Sequence, residues 1–153
     1  MPSLSIRKYS IAELERAPNV DALLDEYARE AGTEGLGPVV AQWWLYRKME
    51  ESGLLHTIGA FIDDTLVGFI TMVVMQRPHY EAHIASYESY FVAESASKSG
   101  AGIALRNAAR DLAASMGAIG MVFNAAVGSR ADRFFSADNS LKHTHNVYLM
   151  VLQ

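Results

Sequence analysis

"ESYFVAESASKSGAGIALRNAARDLAASMGAIGMVF", residues 88–123, changes texture three times. It opens on aromatic and β-branched residues, the composition of a strand. A polar break, "AESASKSGAG", follows, with glycines at 100 and 102. Then Ile103, Leu105, Ala108, Ala109, Leu112 and Met116 recur at helical spacing, which predicts a helix with those residues facing inward. Gly117 is a helix stop, and "AIGMVFNA" (118–125) reads as a short, fully apolar strand of the buried type. The unit is therefore strand, glycine loop, helix, strand. A helix N-terminus presents free N–H groups and a partial positive charge, and glycines there admit a bulky anion without a Cβ in the way. Gly100 and Gly102 suit that use, and Ser97, Lys98 and Ser99 add hydroxyls and a positive charge to the rim. A loop that merely needs positive φ is the competing reading. Two nucleotide signatures are excluded: there is no G-x-x-x-x-G-K-[ST], and Leu105 stands where G-x-G-x-x-G needs its third glycine.

Upstream, residues 83–94 form one long strand that runs into the loop. Residues 54–63 and 65–75, rich in Ile, Val, Thr and Phe, flank Asp63 and Asp64 and predict a tight antiparallel hairpin. Residues 3–9 alternate weakly and read as a first strand. Residues 11–32 are helical with an interruption near Pro18, and their second part puts Val20, Leu23, Leu24, Tyr27 and Ala28 on one face. A second helix is expected from Pro38, in its first turn, to Gly53. Downstream, residues 129–137 read as a short helix and 143–152 as a closing strand. Strands and helices in this order make a mixed sheet with helices on its faces, expected as one domain over residues 1–153.

Composition narrows the function classes. Half the residues are hydrophobic and a fifth are charged, which suits a folded chain with a sizeable core. A net charge of −4 argues against a general nucleic-acid binder. With no cysteine there is no disulfide framework, thiolate zinc site or cysteine nucleophile. The N-terminal residues lack the apolar core of a signal peptide, and the apolar runs are too short to span a bilayer. A cytoplasmic protein with no membrane partner is the expectation.

Residues 88–123 resemble the core of the GCN5-related N-acetyltransferases (GNAT). That family has a strand ending in an apolar-Val segment, then Arg/Gln-x-x-Gly-x-Gly/Ala, a helix, a glycine and a short strand. Here "YESYFV", "SKSGAG" with Gly100 and Gly102 at the small-residue positions, "ASMG" and "AIGMVF" stand in that order. Ser97 takes the place of the Arg or Gln, with Lys98 beside it. The resemblance implies an α/β fold with a mixed, mostly antiparallel sheet of about six or seven strands flanked by about four helices. It implies acetyl-CoA as co-substrate, lying between splayed strands at 86–92 and 119–124, and no metal. The loop amides of Ser99, Gly100, Ala101, Gly102 and Ile103, with Lys98, would take the pyrophosphate. Main-chain groups of Phe91, Val92 and Ala93 would meet the pantetheine, and Asn124 the cofactor arm. The implied activity is direct acetyl transfer to a primary amine, on a small molecule or a protein. The alternative is a binding or structural module that keeps the fold without the chemistry.

Amine acetylation needs a proton acceptor and a donor for the departing thiolate or the oxyanion. Glu88, four residues before Val92, is the candidate base, and burial would raise its pKa toward that task. An outward-facing glutamate is the alternative. Glu94 ranks below it, being nearer the loop and more solvated. Where many family members carry a helical tyrosine acid, this chain has Phe134 and Phe135; Tyr90 is the substitute, with Tyr87 and Tyr148 behind it. Trp43 and Trp44 point about 100° apart on their helix, so one is expected in the core and the other at an acceptor pocket. Arg47 and Lys48 read as a solvated face, and Met72, Met75, Met121 and Met150 as core filling. His143 and His145 share a strand face and, with His79 and His83, are weighed as metal ligands; a polar strand face is preferred. A homodimer pairing through 143–152 is left open.

Overall fold

The computed structural model describes residues 2–152. Five strands form one sheet in the order β1-β2-β3-β4-β5: Leu4–Tyr9, Leu55–Ile62, Thr65–Gln76, His83–Val92 and Ala118–Val122. The first three pairings are antiparallel and the last is parallel. Helices α1 (Ile11–Arg16), α2 (Val20–Ala31) and α3 (Trp43–Glu51) cover one face; α4 (Ala101–Ser115) covers the other; α5 (Arg130–Ser136) follows β5.

Local chemistry accounts for the junctions. Ser10 and Glu13 form a reciprocal capping box that starts α1. Ala17, before Pro18, is driven to extended backbone (ψ 133°), which separates α1 from α2. Asp63 and Asp64 both adopt left-handed φ (47° and 64°), the geometry a two-residue hairpin turn demands. The parallel pairing of β4 and β5 needs a crossover, which α4 supplies. Ala101, Leu105, Ala109 and Ala113 make the buried stripe of α4 against Ile58, Ile70, Met72 and Ala85. On the opposite face Ile11, Leu14 and Leu23 close over Phe61, Phe69 and Phe91.

Between β3 and β4 the backbones approach closely at Gly68. A Cβ there would stand 2.7 Å from the Phe91 carbonyl oxygen and 3.2 Å from Val92 Cα. Those atoms are main chain and have little freedom to retreat. Gly68→Ala is therefore expected to cost about 1–3 kcal/mol, read as a fall of several degrees in Tm by circular dichroism.

Several expectations are corrected. The second helix begins at Trp43 rather than Pro38; two consecutive β-branched residues, Val39 and Val40, are poor helix formers, and 38–42 remains irregular. Residues 143–152 form no strand, so the sheet has five strands among the described residues, not six or seven. A strand needs a paired neighbour, and this segment has none. Its Val147 and Tyr148 are 80% and 87% exposed. In consequence β5 is an edge strand, not a buried one, with Ile119 77% exposed. Ile103 points outward from α4. Of the four methionines, Met72 is fully buried and Met121 packs at the core margin, while Met75 and Met150 are exposed.

Candidate functional site

The β4–β5 ladder runs from His83↔Ala118 to Ser86↔Val122 and stops. Beyond it β4 continues to Val92 paired with β3 alone, so a cleft opens between residues 87–92 and the chain leaving β5. A 3-10 turn, Glu94–Ala96, ends β4, and Gly100 then takes a left-handed conformation (φ 85°) to start α4 with no side-chain cap. Ser99 N–H donates to the Ala96 carbonyl at 3.0 Å, and Ala101 N–H donates to Ser99 Oγ at 3.2 Å. Among the described residues the Gly102 and Ile103 amides have no acceptor, which leaves them as the free donors of α4. A Cβ on Gly100 would meet nothing within 4 Å, so the approach to these amides is open. Lys98 stands exposed on the same loop.

Tyr90 does not stand with Glu88. It faces α4, and its hydroxyl donates to the Gly102 carbonyl, tying β4 to the first turn of α4. Burial raises its pKa, so the phenol stays protonated. Tyr90→Phe should lower stability by about 1 kcal/mol, a fall of about 2–4 °C in Tm for a chain of this size.

An aromatic cluster bridges the cleft, with Tyr87 of β4 6.0 Å from Phe123 after β5, centroid to centroid. The Phe135 ring lies 5.0 Å from Phe123, 6.0 Å from Tyr90 and 6.3 Å from Tyr87, centroid to centroid. Phe135 is thus a packing residue that draws α5 over the cleft. At the other end Arg130 donates to the Val92 carbonyl at 2.5 Å and pairs with Glu30 and Glu94, each at 3.2 Å. Ala93 N–H donates to the Val67 carbonyl at 2.8 Å, and the Phe91 side chain is buried on the far face. Asn124 is exposed just after β5.

Glu88 sits on the opposite face by a register irregularity. Ser89 pairs with Thr71 and Tyr87 with Met72, so Glu88 is an extra residue in β4, a bulge. Bulges re-aim side chains, and this one turns Glu88 toward α3. Tyr46 donates to Glu88 Oε2 at 2.5 Å, and Thr71 donates to the same oxygen at 3.4 Å. Thr71 is itself held by Ser89, hydroxyl to hydroxyl at 2.5 Å. Glu88 is exposed to solvent, the outward-facing alternative of the two readings. It forms one wall of a pocket with Tyr27, Trp43, Tyr46 and Phe69. Burial pushes Tyr46 well up, and its hydrogen bond to Glu88 adds to the rise. Tyr27 is pushed up to about 12, by burial first and by the Glu88 charge second. On the other face burial raises Tyr87 to about 12 as well.

These phenols stay neutral in the fold above the pH at which free tyrosine ionises. For Tyr27 and Tyr87 the stabilising contribution is complete below pH 10 and is lost as pH rises through about 12. Thermal melts should therefore drop across that window. A titration followed by tyrosinate absorbance should show a late component that vanishes in denaturant.

Trp43 lines the pocket, whereas Trp44 is 57% exposed and belongs neither to the core nor to the pocket. Tyr27 is legible from the sequence only as part of a helix face and Tyr46 only as a neighbour of the two tryptophans; that both meet the Glu88 pocket is not. The usable signal was the three-residue spacing of Trp43 and Tyr46, which shares a helix face. Arg47 pairs with Glu15 at 2.5 Å on a half-exposed surface. Among the described residues no group of three or more histidines and carboxylates is placed to hold a metal, and His145 Nδ1 lies 2.8 Å from Thr144 Oγ1. None of the described helices is long and apolar enough to cross a membrane.

Residues 12–137 match the model of the acetyltransferase (GNAT) family. No curated protein matches the chain by sequence. Solved structures with the same fold include an aminoglycoside acetyltransferase, meta-AAC0020, from an uncultured soil metagenomic sample in complex with sisomicin (TM-score 0.75, 14% identity, covering 98% of this chain and 97% of that one). Another is a ribosomal-protein-alanine N-acetyltransferase from Brucella melitensis biovar Abortus 2308 (TM-score 0.73, 18% identity, 97% and 98% covered). A third is AAC(6')-Iy in complex with the bisubstrate analog CoA-S-monomethyl-acetylneamine (TM-score 0.74, 15% identity, 99% of each chain covered).

Proposed function

The chain belongs to the acetyltransferase (GNAT) family, and from that premise we propose that it is an acetyl-CoA-dependent N-acetyltransferase acting on a primary amine in the cytoplasm. When bound, acetyl-CoA would supply a thioester whose carbonyl carbon an amine attacks, the C–N bond forming as the C–S bond breaks and CoA leaves as its thiolate, which takes a proton from solvent. The observation that carries the reading is the pair of free amides at Gly102 and Ile103, open to an anion above Gly100. Two aligned donors and the α4 dipole suit a pyrophosphate. Lys98 adds a positive charge to the rim. Tyr90 holds the loop by its bond to Gly102, so its role is positioning rather than proton donation. Glu88, oriented by Tyr46 and Thr71, accepts the proton that the amine gives up.

One observation favours the alternative, a module that keeps the fold without catalysis. Arg130 already occupies the Val92 carbonyl, a group assigned to the pantetheine. Calorimetric titration with acetyl-CoA, followed by thiol-release assays over an amine panel, separates the two. Saturable binding with amine-dependent thiol release is expected. No binding at millimolar acetyl-CoA would sink the enzyme reading, and binding with background release would favour the module.

We also infer a homodimer. Among the described residues the outer edge of β5 pairs with no strand, and the segment at 143–152 carries exposed apolar side chains. Open edges and apolar segments of this kind favour pairing between chains. Sedimentation equilibrium should give twice the 16.8 kDa chain mass; a monomer at high concentration would overturn the inference.

A further inference from the structure

We propose that the acceptor is a monoamine, a single ammonium carried on an apolar aryl or alkyl body. This rests on the acetyl-transfer reading of the same pocket and narrows its substrate class. Tyr27, Trp43, Tyr46 and Phe69 supply aromatic walls, and Val39 and Val40 supply an aliphatic rim. Of the lining residues Glu88 alone carries a charge. Both hydrogen bonds to its carboxylate, from Tyr46 and Thr71, fall on Oε2. Among the described residues Oε1 accepts none, so one oxygen is left to face a cation.

That composition selects. One ammonium entering beside Glu88 meets a carboxylate and the faces of aromatic rings, both of which attract a cation. A second or third ammonium would be desolvated against apolar walls with no counter-charge, which is strongly unfavourable. An apolar body gains instead, by about fourfold in affinity for each buried methylene.

The chain has two tryptophans, and the exposed Trp44 lies outside the pocket. In the Trp44→Phe protein the emission therefore reports on Trp43 alone. Titration of this variant with 2-phenylethylamine should change the emission saturably. Affinity should rise by about sixtyfold from propylamine to hexylamine, about fourfold for each of the three added methylenes. It should fall at least tenfold in the double variant that also carries Glu88→Gln, and at least tenfold for the neutral isostere 2-phenylethanol. Sisomicin, spermidine and an alanine-terminated peptide should bind more weakly than 2-phenylethylamine. Tighter binding of any of those three overturns the proposal, as does equal binding of amine and alcohol, or no response to any amine. The readout needs no acetyl transfer. Monoamine binding without thiol release would sink the enzymatic reading and leave the pocket's selectivity standing.

Discussion

Gly102→Glu is expected to remove acetyl-CoA binding without loosening the fold. A Cβ at this position would meet Tyr90 Oη at 3.6 Å and Val92 Cγ2 at 3.9 Å, both ordinary contacts. Glycine inside a helix costs about 1 kcal/mol relative to better helix formers, and an acidic side chain in the first turn gains about 0.3–1 kcal/mol from the helix dipole. The variant's own Tm should therefore hold or rise. Its carboxylate would occupy the space above the free amides of Gly102 and Ile103 and face any phosphate there. Two like charges about 5 Å apart repel by about 3 kcal/mol at an effective dielectric of 20, a loss of about a hundredfold in affinity or more. Calorimetry should register no acetyl-CoA binding, and the stabilising Tm shift from acetyl-CoA should vanish. Undiminished binding would mean that the α4 N-terminus is not the phosphate site.

Glu88→Gln tests the other half of the site. Glutamine keeps an oxygen for the Tyr46 and Thr71 donors, so the bulge and the pocket wall should persist. What it cannot do is take a proton. General-base catalysis contributes about 10²–10⁴-fold, so kcat/KM for amine acetylation should fall by about a hundredfold or more while the Kd for acetyl-CoA stays within about twofold. A loss smaller than about threefold would move the proton acceptor elsewhere.

What the sequence revealed of this site follows the range of the interactions involved. The β4–α4–β5 unit was legible because its signals are local: a strand composition, a glycine of positive φ, a helical repeat, a second glycine. The pairing of β2 with β3 was legible for the same reason, through Asp63 and Asp64. The bulge at Glu88 was not. Whether two residues oppose one depends on the partner strand, and no feature of 83–94 states it. Tyr46 reaches Glu88 across a sequence separation of 42 residues, and single-sequence spacing carries no record of that contact. Tyr90 was expected as a donor to the reaction, but strand alternation with a bulge inside it puts Tyr90 and Glu88 on opposite faces. Arg130 at the Val92 carbonyl is likewise a long-range contact, made by a residue that reads as the polar start of a short helix. The segment at 143–152 has strand composition without a strand, because composition supplies propensity and the partner supplies the ladder.

The central claim is that α4 begins at an anion site whose donors are the Gly102 and Ile103 amides. Amide NMR of the labelled 16.8 kDa chain during titration with CoA tests it most directly. The account predicts that these two amide protons move downfield, saturably and with the same Kd, and further than the amides of Ser99 and Ala101, which are already bonded within the chain. Saturable shifts elsewhere with Gly102 and Ile103 unmoved would contradict it.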